Sequence, residues 1–238
     1  MNRIFLTILV VVSSLLFSIM YGAFQVELKE VGRKFVLTNK TIELPEPKKD
    51  GEISVEEALQ KRRSIRDYLD KPLRLNDLSQ ILWAAQGITE PIKKFRTAPS
   101  AGATYPLEVY VVVKNVEGLE KGVYHYNPFK HNLELIKKGN FSYRLYEACL
   151  NQEWVLKAQA NIIITAFYER TTNKYGERGI RYVHMEAGHV GQNIYLQATT
   201  LGVGTVAIGA FYDDKVEEII DAEVNEKALY VYPLGYRR

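Results

Sequence analysis

The run Leu107-Glu108-Val109-Tyr110-Val111-Val112-Val113 constrains the fold more than any other stretch of this chain. A strand with one wet face alternates apolar and polar residues, and this one does not. It reads as a strand buried on both faces. Asn161 to Phe167, with Ile162, Ile163 and Ile164 in a row, reads the same way. Gly122 to Tyr126 and Leu133 to Ile136 form a hairpin around Asn127-Pro128, and Thr205 to Ile208 and Ala228 to Tyr232 are further short strands. Sheets buried on both faces need helices to cover them. The spacing predicts helices from Asn76 or Asp77 to Gln86, from Phe141 to Leu150, from Tyr182 to Leu201 and from Asp213 to Asp221. Strands and helices do not alternate strictly. The expected fold is therefore α+β: a sandwich in which helices flank a largely antiparallel sheet.

The N-terminus is of another kind. After Arg3, residues 4–24 carry no charge and are rich in Ile, Leu, Val and Phe. The length lies between a signal sequence and a spanning helix. Residues 1–24 are expected to be a signal peptide or membrane anchor. Arg3 would stay on the cytoplasmic side and the domain would be exported to the extracytoplasmic side. Residues 25–53 read as a linker or arm, and residues 54–238 as the folded domain. Lys and Arg total 31 against 28 Asp and Glu, a net charge of +3, too balanced to argue for nucleic acid as a partner. The single cysteine, Cys149, allows no internal disulfide and lies in a predicted helix, as a buried thiol would.

Several stretches could carry chemistry. Ser54 and Glu57 have capping-box spacing, so a helix starts there and ends near Lys61-Arg62-Arg63-Ser64-Ile65-Arg66. Guanidinium forks suit phosphate oxygens, and cations also suit any solvated helix end. Pro99-Ser100-Ala101-Gly102-Ala103-Thr104-Tyr105-Pro106 is a loop whose small residues allow close backbone approach. Gly202 to Phe211 is a second small-residue stretch. It lacks dinucleotide-binding spacing, and it reads either as a helix cap before an edge strand or as backbone N–H groups facing a flat ring. His125, His131, His184 and His189 lack metal-ligand spacing, so packing or hydrogen bonding is expected of them. No G-x-S-x-G elbow occurs in the sequence.

In this order, Arg62-Arg63-Ser64-Ile65-Arg66, Pro99 to Pro106, Lys174-Tyr175-Gly176-Glu177-Arg178, Glu186-Ala187-Gly188-His189, Gly209-Ala210-Phe211 and Pro233-Leu234-Gly235-Tyr236 resemble the nitroreductase superfamily. Within it the chain is similar to the SagB-type branch, which includes thiazole- and oxazole-forming dehydrogenases of peptide natural products. The resemblance runs from about Ser54 to the C-terminus. It implies FMN as cofactor and a homodimer with each flavin at the interface. Arg62, Arg63, Ser64 and Arg66 would contact the ribityl phosphate and the pyrimidine of the flavin. Arg237 or Arg238 would supply a second phosphate clamp. Pro99, Ser100, Ala101, Gly102 and Thr104 would reach the partner's flavin. Gln152 would lie near the ring, and Ala207, Ile208 and Gly209 would make backbone contacts near flavin N5.

The resemblance also makes Lys174 and Tyr175 an acid/base pair. Hydride removal from a substrate leaves a proton on the neighbouring atom, which a positioned base must take. A charged exposed loop is the other reading of that segment. The implied activity is ping-pong hydride transfer on a small-molecule substrate. The alternatives are NAD(P)H-dependent reduction of nitro or quinone compounds, and a membrane-tethered flavin-binding module without turnover.

Overall fold

The computed structural model describes residues 40–238. The expected signal or anchor, residues 1–24, lies outside the described residues. The strands are β1 (Thr41–Glu43), β2 (Ile88–Glu90), β3 (Phe95–Arg96), β4 (Leu107–Val113), β5 (Gly122–Asn127), β6 (Asn132–Lys138), β7 (Ala160–Phe167), β8 (Val203–Gly204) and β9 (Glu226–Tyr236). The helices are α1 (Val55–Lys61), α2 (Leu75–Gln86), α3 (Ser142–Ala148), α4 (Glu153–Lys157), α5 (Glu169–Tyr175), α6 (Arg178–Thr200) and α7 (Asp213–Ile220).

Seven strands form one sheet in the order β1-β6-β5-β4-β7-β9-β8, and every neighbouring pair is antiparallel. The valine strand lies at its centre, with Val109 opposite Ile164 and Val111 opposite Ile162. Val109, Val111 and Val113 point to one face, where Leu78, Ile81 and Leu82 of α2 and Val183, Val190 and Ile194 of α6 cover them. Tyr110 and Val112 point to the other, against Leu145 and Cys149, Val155, and Val216 and Ile220 of α7. The expected three-layer α+β sandwich is thus observed. Each fully buried Val, Leu or Ile contributes about 1.5–3 kcal/mol, which is why a strand facing two cores carries almost no polar side chains.

Five local expectations change. The short strand expected from Thr205 to Ile208 is instead Val203–Gly204, and of the expected stretch only Ile208 forms a bridge, to Val231. The arm before Ser54 is partly built into the fold: Thr41–Glu43 pairs with β6, and the Pro45 carbonyl accepts a hydrogen bond from Ser79 Oγ at 2.6 Å. The sheet therefore begins before residue 54. The stretch from Thr89 to Thr104, which by its Pro, Gly and small residues reads as a loop, holds most of the β2–β3 hairpin. The segment holding Lys174 and Tyr175 is not a loop but helix α5, which ends at Gly176 with φ of 57°. The long helix α6 starts at Arg178, ahead of the expected Tyr182. At its middle, Gly191 lets the helix close on β9, because a Cβ there would sit 2.0 Å from the Tyr232 hydroxyl.

Candidate active site

Helix α1 is capped as its sequence predicts: Ser54 Oγ accepts the Glu57 amide at 3.1 Å. The chain leaves the helix at Arg62, with φ −56° and ψ 126°, so the basic stretch that follows is not wound around a further turn. Arg62 and Ser64, two residues apart, both reach Tyr195 on α6. The Arg62 guanidinium lies 5.3 Å from the centre of the Tyr195 ring, and Ser64 Oγ lies 3.0 Å from its hydroxyl. Arg63 turns the other way and donates to the Gln60 and Arg62 carbonyls at 2.9 and 2.6 Å, satisfying the end of α1. Arg66 lies over the Trp154 ring at 5.4 Å.

The intervening Ile65 holds this segment against the second small-residue stretch. Its amide donates to the Thr205 carbonyl at 2.9 Å, and its side chain fills the space above Gly204, where a Cβ would be 2.6 Å from Ile65 Cγ2 and 3.2 Å from Arg237 Cγ. Arg237 thus lies beside the Arg62–Ser64 segment, whereas Arg238 pairs with Asp67 at 3.5 Å on the surface. Of the two terminal arginines, Arg237 is the one that packs with Ile65 above Gly204.

The expected backbone donors shift along the chain. The Ala207 amide donates to the Tyr195 hydroxyl at 2.7 Å, and the Ile208 amide to the Val231 carbonyl at 2.9 Å, so both are engaged. Gly209 and Ala210 are exposed, and among the described residues their amides have no hydrogen-bond partner. Gln152 lies next to them: its Nε2 donates to the Cys149 and Ala210 carbonyls at 2.9 and 3.0 Å. Only its carbonyl oxygen is left to meet a ligand.

This group of residues fits an anionic ligand with a flat, multi-acceptor ring. Among the described residues Arg62, Arg66 and Arg237 have no carboxylate partner, although ion pairs are formed by Arg74, Arg144, Arg170 and Arg238. Unpaired guanidiniums beside an exposed serine hydroxyl suit phosphate oxygens. Exposed amides at Gly209 and Ala210 suit ring acceptors. The fit is to FMN as a class of ligand: a phosphate at one end and a heteroaromatic edge at the other.

A second group gathers around the Pro99–Thr104 loop. Gly102 adopts φ of 59°, and Ala103 and Tyr105, which are not glycines, also have positive φ, of 54° and 45°. Such strain clusters at functional sites. Lys174 Nζ donates to the Gly102 carbonyl at 3.2 Å, and Thr104 Oγ1 meets Thr171 Oγ1 of α5 at 2.8 Å. A Cβ on Gly102 would stand 2.5 Å from both Lys174 Nζ and the Tyr175 hydroxyl. Helix α5 therefore places the expected acid/base pair directly over the loop. Ser100 Oγ accepts the Tyr105 amide at 2.9 Å and fixes the turn. Pro99 and Ala101 hold the loop's backbone without side-chain hydrogen bonds, as their chemistry requires.

Beneath this loop Glu186 is buried, with 2% of its surface exposed, and its Oε1 has no hydrogen-bond partner. Burial pushes its carboxyl up to about 7, partly opposed by Ser100, by the positive charge of Arg96 and by Gln86. Cys149 is buried and its thiol is pushed up to about 12 by desolvation, so it is inert as a nucleophile, in keeping with its sequence context. Among the described residues no hydrogen bond, ion pair or ring contact joins the Gly102–Lys174 group to the Arg62–Ser64–Tyr195 group. Tyr195 was not legible in the sequence. It lies beside the apolar stripe of α6, and only the fold reveals that residues 131 positions apart meet at its hydroxyl.

A three-layer α+β fold that leaves arginines unpaired and backbone amides exposed offers a binding place for an anionic, ring-bearing ligand. Comparison with known proteins gives the family: the nitroreductase family profile matches residues 59–236, and the chain belongs to that family. A Methanocaldococcus jannaschii protein bearing the name nitroreductase is 51% identical over 184 residues, which cover 77% of this chain and 91% of the relative. A crystal structure of a nitroreductase-named protein from Ralstonia eutropha superposes with TM-score 0.75 at 26% identity, covering 84% of this chain and 91% of that one. A chain of the Escherichia coli microcin synthetase McbBCD complex superposes with TM-score 0.65 at 25% identity, covering 89% of this chain and 81% of that one. The protein is an oxidoreductase of the nitroreductase family, and its likeness to the microcin synthetase chain fits the SagB-type branch.

Proposed function

We propose that this chain is an FMN-dependent dehydrogenase of the SagB type, active as a homodimer on a small-molecule substrate. One observation supports it above the rest: Arg62 and Ser64 meet at Tyr195, Arg237 packs with the adjoining Ile65 above Gly204, neither arginine has a carboxylate partner among the described residues, and the amides of Gly209 and Ala210 stand exposed on the same small-residue stretch. Arg62, Ser64 and Arg237 would hold the phosphate. Arg66 would face the pyrimidine, and Gly209 and Ala210 would bind the ring edge. When bound, FMN supplies hydride acceptance from one substrate and hydride donation to a second, in ping-pong order.

Lys174 and Tyr175 would take the proton that substrate dehydrogenation releases. They lie in a group separate from the phosphate residues of the same chain, which favours a dimer in which the Gly102 loop completes the partner's site. The resident apolar stretch at residues 4–24 supports export, with the domain held at the extracytoplasmic membrane face. The second reading, NAD(P)H-driven reduction of nitro or quinone compounds, is favoured by the name of the Methanocaldococcus relative. The distinguishing experiment follows NADPH oxidation with a quinone acceptor in the flavin-loaded protein. The dehydrogenase reading expects turnover at the background rate. Rapid NADPH consumption that survives Lys174→Ala would overturn it in favour of the reductase.

A further inference from the structure

We propose that Tyr195 is a positioning residue that turns the Ser64 hydroxyl hydrogen toward the phosphate of the bound cofactor. The inference rests on the FMN reading above and adds a residue to it. The Tyr195 hydroxyl has two partners among the described residues: the Ala207 amide at 2.7 Å and Ser64 Oγ at 3.0 Å. An amide N–H can only donate, so the phenolic oxygen accepts from Ala207. The phenol has one hydrogen, and Ser64 Oγ is the acceptor within reach. We assign the phenol as donor and Ser64 Oγ as acceptor, because the reverse direction would leave the phenol hydrogen without an acceptor among the described residues.

That assignment decides where the serine hydrogen goes. With a lone pair of Oγ engaged by the phenol, the serine O–H is left without an acceptor among the described residues, on an exposed residue. The direction runs Ala207 N–H to Tyr195 O–H to Ser64 O–H, each donor polarised by the one behind it. An anion at the end of such a line receives a stronger hydrogen bond than from an isolated serine. Arg62, stacked 5.3 Å from the centre of the same tyrosine ring, is held at the same place. One side chain on α6 thus aligns both the hydroxyl and the guanidinium donor. The Tyr195 ring is itself fixed edge-on against Tyr232, with ring centres 6.0 Å apart. The donor line consequently ends on rigid core structure and not on a mobile loop.

The relay acts on a phosphate and on nothing else in the ligand, so FMN and riboflavin separate it from general support of the fold. Binding of each is measured by flavin fluorescence quenching in phosphate-free buffer, for wild type, Y195F, S64A and the double variant. Tyr195→Phe should weaken FMN by about tenfold, the range for a hydrogen bond to a charged group, and leave riboflavin within about twofold. Ser64→Ala should do the same, and the double variant should be no weaker than about twentyfold because both remove one line of donors. Equal weakening of FMN and riboflavin by Y195F, or additive losses near a hundredfold in the double variant, would overturn the relay while leaving the FMN reading intact. Wild type that binds neither flavin would overturn both. Should Y195F fail to fold, S64A at the exposed end of the line decides the matter alone: unchanged discrimination between FMN and riboflavin refutes the relay.

Discussion

Gly102 and Lys174 occupy each other's space: the lysine Nζ hydrogen-bonds to the Gly102 carbonyl at 3.2 Å, and a methyl group on Gly102 would lie 2.5 Å from that nitrogen. Gly102→Ala therefore carries two penalties, left-handed strain at φ of 59° and a collision with Lys174 and Tyr175. The strain alone costs about 1 kcal/mol, and the collision adds about 1 kcal/mol more. In urea denaturation, G102A should lose about 2 kcal/mol in the wild-type background and about half of that in K174A/Y175F. The same loss in both backgrounds would show that the two groups do not share this space.

Glu186 makes stability depend on pH. Its folded carboxyl titrates near 7 against 4.5 for the free group, so the folded state holds a proton that the unfolded state releases between those values. Stability is then greatest below pH 4.5 with respect to this group and falls as pH rises through 7. The full effect is at most about 3 kcal/mol. Glu186→Gln should flatten the profile of urea midpoint between pH 5 and 7.5, narrowing the gap to acid conditions by about 2–3 kcal/mol. Parallel profiles for wild type and E186Q would exclude Glu186 as the titrating group.

The C-terminal strand is fastened to α2 by a buried pair. The Tyr236 hydroxyl donates to Asp77, which is only 3% exposed and also receives a two-point contact from Arg74 at 2.8 and 2.9 Å. Tyr236→Phe leaves one carboxylate oxygen short of a donor. It should cost about 1–3 kcal/mol. Because Arg237 follows directly, it should also loosen the end of β9, seen as faster amide exchange at Leu234 and Tyr236. Unchanged exchange would mean that the strand is held by its backbone pairing alone.

Helix α6 and strand β9 meet at Gly191 and the Tyr232 hydroxyl. Gly191→Ala would overpack this contact and cost about 1–3 kcal/mol, and Tyr232→Phe in the same chain should restore most of the loss by removing the oxygen that a Cβ approaches to 2.0 Å. Thermal unfolding of the two single variants and the double variant measures this. A double variant no more stable than G191A would place the crowding elsewhere.

The layer order and the central strands were legible because burial on two faces leaves its mark on every residue of β4 and β7. The Ser54 cap was legible because side-chain capping is local. Strand β1 was not: Thr41–Glu43 joins the sheet through backbone pairing with β6, which leaves no apolar pattern. Helix α5 was not either. Thr171, Thr172 and Asn173 are weak helix formers, and packing against α6 and the Gly102 loop overrides them. At the site, residue types drew attention to the arginine stretch, but the direction of each side chain came only from the fold. Arg63 turns back to close α1, Arg238 pairs with Asp67, and the amides left open are those of Gly209 and Ala210 and not of Ala207 and Ile208.

The central claim is that Arg62, Ser64 and Arg237 form the phosphate end of an FMN site. It is tested most directly by equilibrating the purified protein with FMN, passing it through gel filtration, and reading the flavin absorbance that elutes with the protein. The account predicts a visible flavin spectrum near one FMN per chain, reduced about tenfold or more in retention by Arg62→Ala, the scale expected for losing a charge-assisted phosphate contact. Protein eluting without flavin absorbance, or R62A retaining FMN as well as wild type, would contradict it.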